Sequence, residues 1–360
     1  MMKHDIVLWF KDLGKEDIPL VGGKCANLGE LYGKIGVPVP DGFAISAYAY
    51  QVFLEKNRAD EKIASLLAGI NMDDLESVQR VSHQIRMYIE GLSMPEEIRD
   101  AILKAYKDLF KQLNKKNVAV AVRSSATAED LPGASFAGQQ ETFLNVTGKT
   151  LLKSVQQCWS SLFTPRATVY RREKGFAHDQ VLISVAVQEM VDSQASGVTF
   201  TLEPVTGDRD KVVIDASWGL GEAIVSGKIT PDEYVVEKGT FRILNRKVFK
   251  KEKQIVYDEK GGTRWAMVPK GMQDRQALTD EAIVRLAQYG VQIENHYGVA
   301  QDIEWAIDRA GRIFILQARP ETVHMVGIKK REERGLMEQE ILVRGLGVSP
   351  GQGSGEVNIV

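Results

Sequence analysis

The stretch DIEWAIDRAGRIFILQARPET, residues 302–322, carries the densest set of groups suited to chemistry. Ile303, Trp305 and Ile307 alternate with Asp302, Glu304 and Ala306, the period of a strand with one buried face. A second strand follows a turn around Gly311. With a loop over 309–312, Asp308 pairs with Ile313, and counting back sets Glu304 opposite Gln317. A carboxylate beside an amide oxygen makes a hard oxygen site suited to Mg2+, a cation that also takes phosphate oxygens. Arg319 lies two residues beyond Gln317 on the same face, and its guanidinium fork matches phosphate. A plain polar cross-strand pair is the alternative, but a glutamate buried without compensation is costly.

Other stretches offer weaker signals of the same kind. Gly22-Gly23-Lys24 places a lysine at a helix start, where a phosphate is held by the helix's positive end. It lacks the GxxxxGK[ST] frame of a phosphate-binding loop, and taken alone an ordinary turn with a surface lysine is the better reading. Arg123 follows the apolar run VAVAV, so a charged fork at a strand end aims into a cleft. Ser124, Ser125 and Thr127 add hydroxyl donors; the alternative is a capping arginine paired with Glu129 or Asp130. Gly133 and Gly138 bracket ASFA, as in a flap whose backbone N–H groups approach an anion, or in a plain Pro-Gly surface turn. Gln188-Glu189-Met190-Val191 ends another apolar run, with groups able to grip an adenine edge and a ribose, or to be an edge residue and a solvated acid. Trp218 to Glu222 and Ser226 to Lys228 form a glycine-rich turn, which by itself says little. The five histidines and two cysteines form no nucleophile triad and no metal spacing.

These groups need strands and helices to hold them. Residues 20–36 read as a glycine turn opening a short helix, and 37–46 run extended because of their prolines. Residues 47–112 are mostly helical by their apolar spacing, as are 150–163. Strands are expected at 118–122, 181–190, 197–202 and 211–216, and at 302–307 with 313–318. Thr279 caps a helix that Gly298 ends. Mixed strands and helices in this order give an α+β or α/β fold. A net charge of −2 gives no electrostatic case for nucleic acid or an acidic membrane surface. No apolar run approaches the roughly 18–20 residues that span a bilayer. A cytoplasmic protein with reduced thiols is the expectation.

Taken together, VGGKCANLGEL, VRSSATAEDLPGASFAGQQETFLNV, QEMVDSQASGVTFTLEPVTGD, SWGLGEAIVSGKITPDEYVVEK and the 302–322 stretch closely resemble the N-terminal nucleotide-binding part of the phosphoenolpyruvate synthase family, which also holds pyruvate phosphate dikinase and rifampin phosphotransferase. The resemblance covers about residues 10–325. It implies an ATP-grasp fold, with ATP clamped between subdomains. The N-terminal subdomain with its helical stretch falls at 1–120 and the rest, including the metal hairpin, at 121–326. By the same resemblance Lys24 and Arg123 hold phosphates, and Gly138 and Thr142 belong to the loop over them. Gln188, Glu189 and Val191 meet the adenosine, Glu304 and Gln317 hold Mg2+, and Arg319 stabilises the transferred phosphate.

The resemblance further implies that ATP is split to AMP, that a pyrophosphoryl group goes to a histidine of a swivelling domain, and that one phosphate is released to water or phosphate while the other goes on to the acceptor. No GGxxSHAA-type segment is present. Residues 327–340 read as a charged linker, and 341–360 resemble the opening of that swivelling domain. The expected partner is therefore a phosphohistidine-bearing domain or subunit, with a small-molecule acceptor handled elsewhere. Two arrangements compete: a split enzyme similar to phenylphosphate synthase, which is preferred, with phenol as acceptor, or the N-terminal part of a phosphoenolpyruvate synthase, with pyruvate. A binding-only module would not need the full phosphate and metal set.

Overall fold

The computed structural model describes residues 4–321 apart from 73, 117, 128, 129, 132, 133, 136–140, 174 and 176–180. The first sheet is built from β1 (Val7–Trp9), β2 (Gly42–Ile45), β3 (Val120–Ala126), β4 (Thr142–Val146) and β5 (Ile183–Glu189). Their spatial order is β1-β2-β5-β3-β4, with every neighbouring pair antiparallel. The second sheet uses β6 (Ser193–Phe200), β7 (Lys211–Trp218), β8 (Asp232–Glu237) and β9 (Ile243–Lys247). A separate ribbon of β10 (Lys253–Tyr257) and β11 (Thr263–Met267) follows, and β12 (Gln301–Asp308) and β13 (Ile313–Pro320) complete the second sheet in the order β9-β8-β7-β6-β12-β13. Residues 190–192 join one sheet to the other.

Side-chain alternation decides what each face meets. Val122, Val187 and Phe43 are cross-strand neighbours that point into a core shared with helices α2 (Ala47–Lys56), α4 (Leu75–Gly91), α5 (Glu96–Gln112) and α6 (Leu151–Ser160). Helix α4 reaches that core with Val81, Ile85 and Ile89, the spacing of one helical face. The next residues along, Arg123, Ala186 and Ala44, point the other way, toward α1 (Ile18–Glu30) and the second sheet. Helix α9 (Asp280–Tyr297) covers one face of the second sheet, with Gly290 close to Thr199, Thr201 and Ile303. It starts at Thr279, whose hydroxyl accepts from Ala282 N–H at 3.3 Å, and stops at Gly298 with φ 71°. Glu304, Val198 and Asp215 form a cross-strand row on the opposite face.

Two local expectations need correction. The strand expected to end before Arg123 runs on to Ala126, because Arg123, Ser124 and Ser125 still pair with Ala186, Val185 and Ser184 of β5. Arg123 is therefore a mid-strand residue. The hairpin loop is shorter than the four residues expected: Asp308 N–H donates to Arg312 O at 3.0 Å, and Gly311 takes φ 79°. The first sheet draws β1 and β2 from before residue 120 and its other strands from residue 120 onward. Gly138, the linker 327–340 and the segment 341–360 lie outside the described residues. No helix among the described residues is long and apolar enough to cross a membrane.

Candidate functional site

The cleft between the sheets is bridged by Arg123. Its Nη2 donates to Glu304 Oε2 at 3.2 Å and to Gln317 Oε1 at 2.5 Å. Its Nη1 donates to the Leu316 carbonyl at 3.2 Å. The hairpin geometry explains that third bond. With the short loop, Ile307 rather than Asp308 stands opposite Ile313, one residue out of the expected register. An irregularity between Glu304 and Trp305 skips Leu316 and restores Glu304 opposite Gln317. A bulged residue leaves the ladder, which frees its carbonyl for Arg123.

Arg319 sits beyond Gln317 and opposite Asp302. Asp302 Oδ2 accepts from Arg319 Nε at 2.9 Å and Nη2 at 2.7 Å, a charge-assisted fork. Burial pushes the Asp302 carboxyl above its usual range, and Arg319 opposes that push. Asp302 was not among the residues singled out from the sequence. The signal was there: the register that sets Glu304 against Gln317 also sets Asp302 against Arg319.

Lys24 reaches the same region from α1. Gly22, with φ 69° and ψ 169°, breaks the helix, and a Cβ there would lie 2.3 Å from the Ser125 carbonyl oxygen. The turn thus lies against β3, with Ser125 Oγ donating to Val21 O at 2.8 Å and accepting from Cys25 N–H at 3.3 Å. Lys24 Nζ donates to the Ser124 carbonyl at 3.1 Å, one residue from Arg123. Thr142 stands exposed directly across from Arg123 on β4. The Pro-Gly segment contains a short ladder of Asp130–Leu131 with Ala134–Ser135.

The adenosine candidates divide. Gln188 is 2% exposed and shares Arg123's face of the first sheet, since Ala121 and Arg123 stand across from Gln188 and Ala186. Glu189 points to the other face, where Lys115 Nζ donates to its carboxylate at 2.5 Å. Val191 is buried at the junction between the sheets, and its carbonyl accepts from Tyr257 Oη at 2.5 Å. Tyr257, on the ribbon, is a further contact to this junction that no sequence motif marks.

Two buried donors on the shared face, Arg123 Nε and Gln188 Nε2, find no acceptor among the described residues. Buried donors of this kind call for a partner, and an acceptor-rich ligand entering the cleft would supply one. The metal pair passes a related test. Glu304 and Gln317 already aim two oxygens at one cationic nitrogen, so that nitrogen stands in for a hard cation. Among the described residues no group of three or more His, Cys, Asp or Glu side chains could hold a metal, so substrate oxygens or water would have to complete such a site.

The profile described as "Pyruvate phosphate dikinase, AMP/ATP-binding domain" matches residues 18–340. The chain belongs to this family. Its fold is accordingly the ATP-grasp type. Phosphoenolpyruvate synthase of Pyrococcus furiosus is 42% identical over 100% of this chain and 49% of its own length. The probable phosphoenolpyruvate synthase of Archaeoglobus fulgidus is 49% identical over 98% of this chain and 47% of its own. The chain thus spans about half the length of these relatives. D-alanyl-alanine synthetase A of Vibrio cholerae aligns at 12% identity over 60% of this chain and 54% of its own, with a TM-score of 0.20, too slight a likeness to argue from.

Proposed function

We propose that this chain performs the ATP side of a dikinase-type phosphoryl transfer. It would bind ATP with Mg2+, pass the βγ pyrophosphoryl group to a histidine on another domain or subunit and release AMP; the γ phosphate then leaves to water or phosphate, and the β phosphate goes on to the acceptor. The observation that carries this reading is the convergence of Arg123 from the first sheet with Glu304 and Gln317 from the second, with Lys24 one residue away at Ser124. Phosphoryl transfer needs positioning and charge neutralisation more than covalent help, and this set supplies both.

In this reading Lys24, Arg123 and Arg319 hold the phosphates as cations, and Asp302 keeps the Arg319 fork in one orientation. Glu304 and Gln317 would offer the oxygens that hold Mg2+, which would supply positive charge to offset that of the phosphates. Thr142, at the start of β4, would flank the loop over the phosphates to which Gly138 is assigned. Gln188 donates toward the adenosine from the shared face, while Glu189 and Val191 contribute backbone at the junction. Pyruvate is favoured over phenol as the final acceptor, because the relatives above are phosphoenolpyruvate synthases. No comparison supports the phenylphosphate synthase likeness. The whole reaction needs the phosphohistidine partner and an acceptor site, and both are part of this proposal.

The test uses ATP labelled in the β position, Mg2+, this chain and a protein carrying the phosphohistidine domain. Acid-labile label on the partner, with AMP formed, is expected. Arg319→Ala and Glu304→Ala should each abolish labelling while circular dichroism stays that of the wild type. Normal labelling by either variant would refute the site assignment.

A further inference from the structure

The helical layer behind the first sheet has no part in the reading above, yet one of its side chains reaches the scaffold of the phosphate end. Arg86 of α4 donates from Nη2 to Glu141 Oε1 at 2.5 Å, and its Nε lies 3.4 Å from Ser160 Oγ. Glu141 immediately precedes β4. Its backbone carbonyl accepts from both the N–H and the hydroxyl of Ser124, at 3.1 and 3.3 Å. Ser124 gives its own carbonyl to Lys24 Nζ, and the residue after Glu141, Thr142, pairs with Arg123. One side-chain bond from α4 thus reaches the strand end that adjoins Lys24, Arg123 and Thr142.

The chemistry of the contact favours orientation over stability. Both side chains are 27% exposed, so the pair is partly desolvated and partly screened, and such pairs add little net stability. A short charge-assisted bond is nonetheless directional. Burial pushes the Glu141 carboxyl upward, and Arg86 opposes that push. Arg86 is itself held on its own helix, where Glu90 stands 3.9 Å from Nη2 and is tied in turn to Ser160 and Lys153. A network thus runs from the outer surface of α6 to the edge of the cleft.

We propose that Arg86 and Glu141 are positioning residues for the phosphate end of the nucleotide site; the inference rests on the ATP reading above. The test is MgATP binding by calorimetry on the full chain, with thermal unfolding measured alongside. Arg86→Gln and Glu141→Gln should each weaken binding about tenfold. The exchanged pair, Arg86→Glu with Glu141→Arg, should recover much of that loss. Lys153→Ala, which breaks the outer pair with Glu90 only, should bind as the wild type does. Wild-type affinity in both single variants, or an exchanged pair no better than either, would overturn the inference, as would an equal loss in Lys153→Ala. A wild-type chain that fails to bind MgATP would overturn the ATP reading, and this inference with it.

Discussion

Arg123 occupies the place that the ATP reading gives to a metal, and this sets up a competition with a measurable sign. Nη2 stands where the Glu304 and Gln317 oxygens converge, at 3.2 and 2.5 Å. A divalent cation taking both oxygens must first displace the guanidinium. A hydrogen bond to a charged group nets about 1.5–3 kcal/mol. The Arg123 side chain is 11% exposed and that of Glu304 25%, so screening places the bond near the lower end of that range. Removing it by Arg123→Ala should tighten metal binding to the nucleotide-free chain by about 1.4 kcal/mol, or about tenfold. Mn2+ suits the same carboxylate and amide oxygens and can be titrated by its electron paramagnetic resonance. The same substitution should weaken MgATP binding, because the phosphates lose their fork. Lys24→Ala removes a neighbouring cation whose Nζ donates to the Ser124 carbonyl. It separates charge from contact: an equal gain in Mn2+ affinity there would assign the effect to charge alone. Unchanged or weaker Mn2+ binding in Arg123→Ala would refute the competition.

Two further outcomes follow from the scaffold. Gly22→Ala forces a side chain into a conformation with φ 69° and ψ 169°, and places its Cβ 2.3 Å from the Ser125 carbonyl oxygen. Such strain costs about 1–3 kcal/mol before any clash, so the urea midpoint should fall and ATP binding with it; an unchanged midpoint would refute the close packing of this turn on β3. Asp215 shares a face of the second sheet with Glu304, and burial first, then Glu233, pushes its carboxyl from 3.8 up to about 6. A raised carboxyl favours the protonated fold, so its contribution is present at pH below about 3.8 and is lost as pH rises through about 6. Asp215→Asn should therefore gain stability relative to the wild type between pH 4.5 and 7.5, by up to about 3 kcal/mol; a difference that stays flat with pH in urea titrations would refute this.

What the sequence made legible depended on whether the signal was local. Helical spacing over 47–112 is a property of neighbours a few residues apart, and α2, α4 and α5 appear there. The caps at Thr279 and Gly298 are equally local, and both act as such. Arg123 shows the limit. The apolar run before it was readable, but the pairing of Ser124 and Ser125 with β5 was not, because small polar residues look alike in a strand and in a loop. The grouping of Lys24, Arg123 and the hairpin came from resemblance to a family, since no spacing links Lys24 to Ser124, 100 positions on, or Arg123 to Gln317, 194 positions on.

The hairpin is the most instructive case. Counting back from a four-residue loop set Glu304 opposite Gln317, and the two are opposite, but through two departures that cancel. The loop is one residue shorter than the count assumed, and the irregularity at Leu316 adds one residue back. Without the irregularity, the short loop would pair Glu304 with Leu316, and period-two alternation would turn Gln317 to the other face. The irregularity therefore does two things at once: it restores the oxygen pair, and it exposes the Leu316 carbonyl, which accepts from Arg123 Nη1 as the third anchor. A hydrophobic pattern registers the face a residue points to, not the loop length that delivered it there. For that reason the acid–amide pairing was accessible from sequence while the carbonyl that completes the Arg123 contact was not.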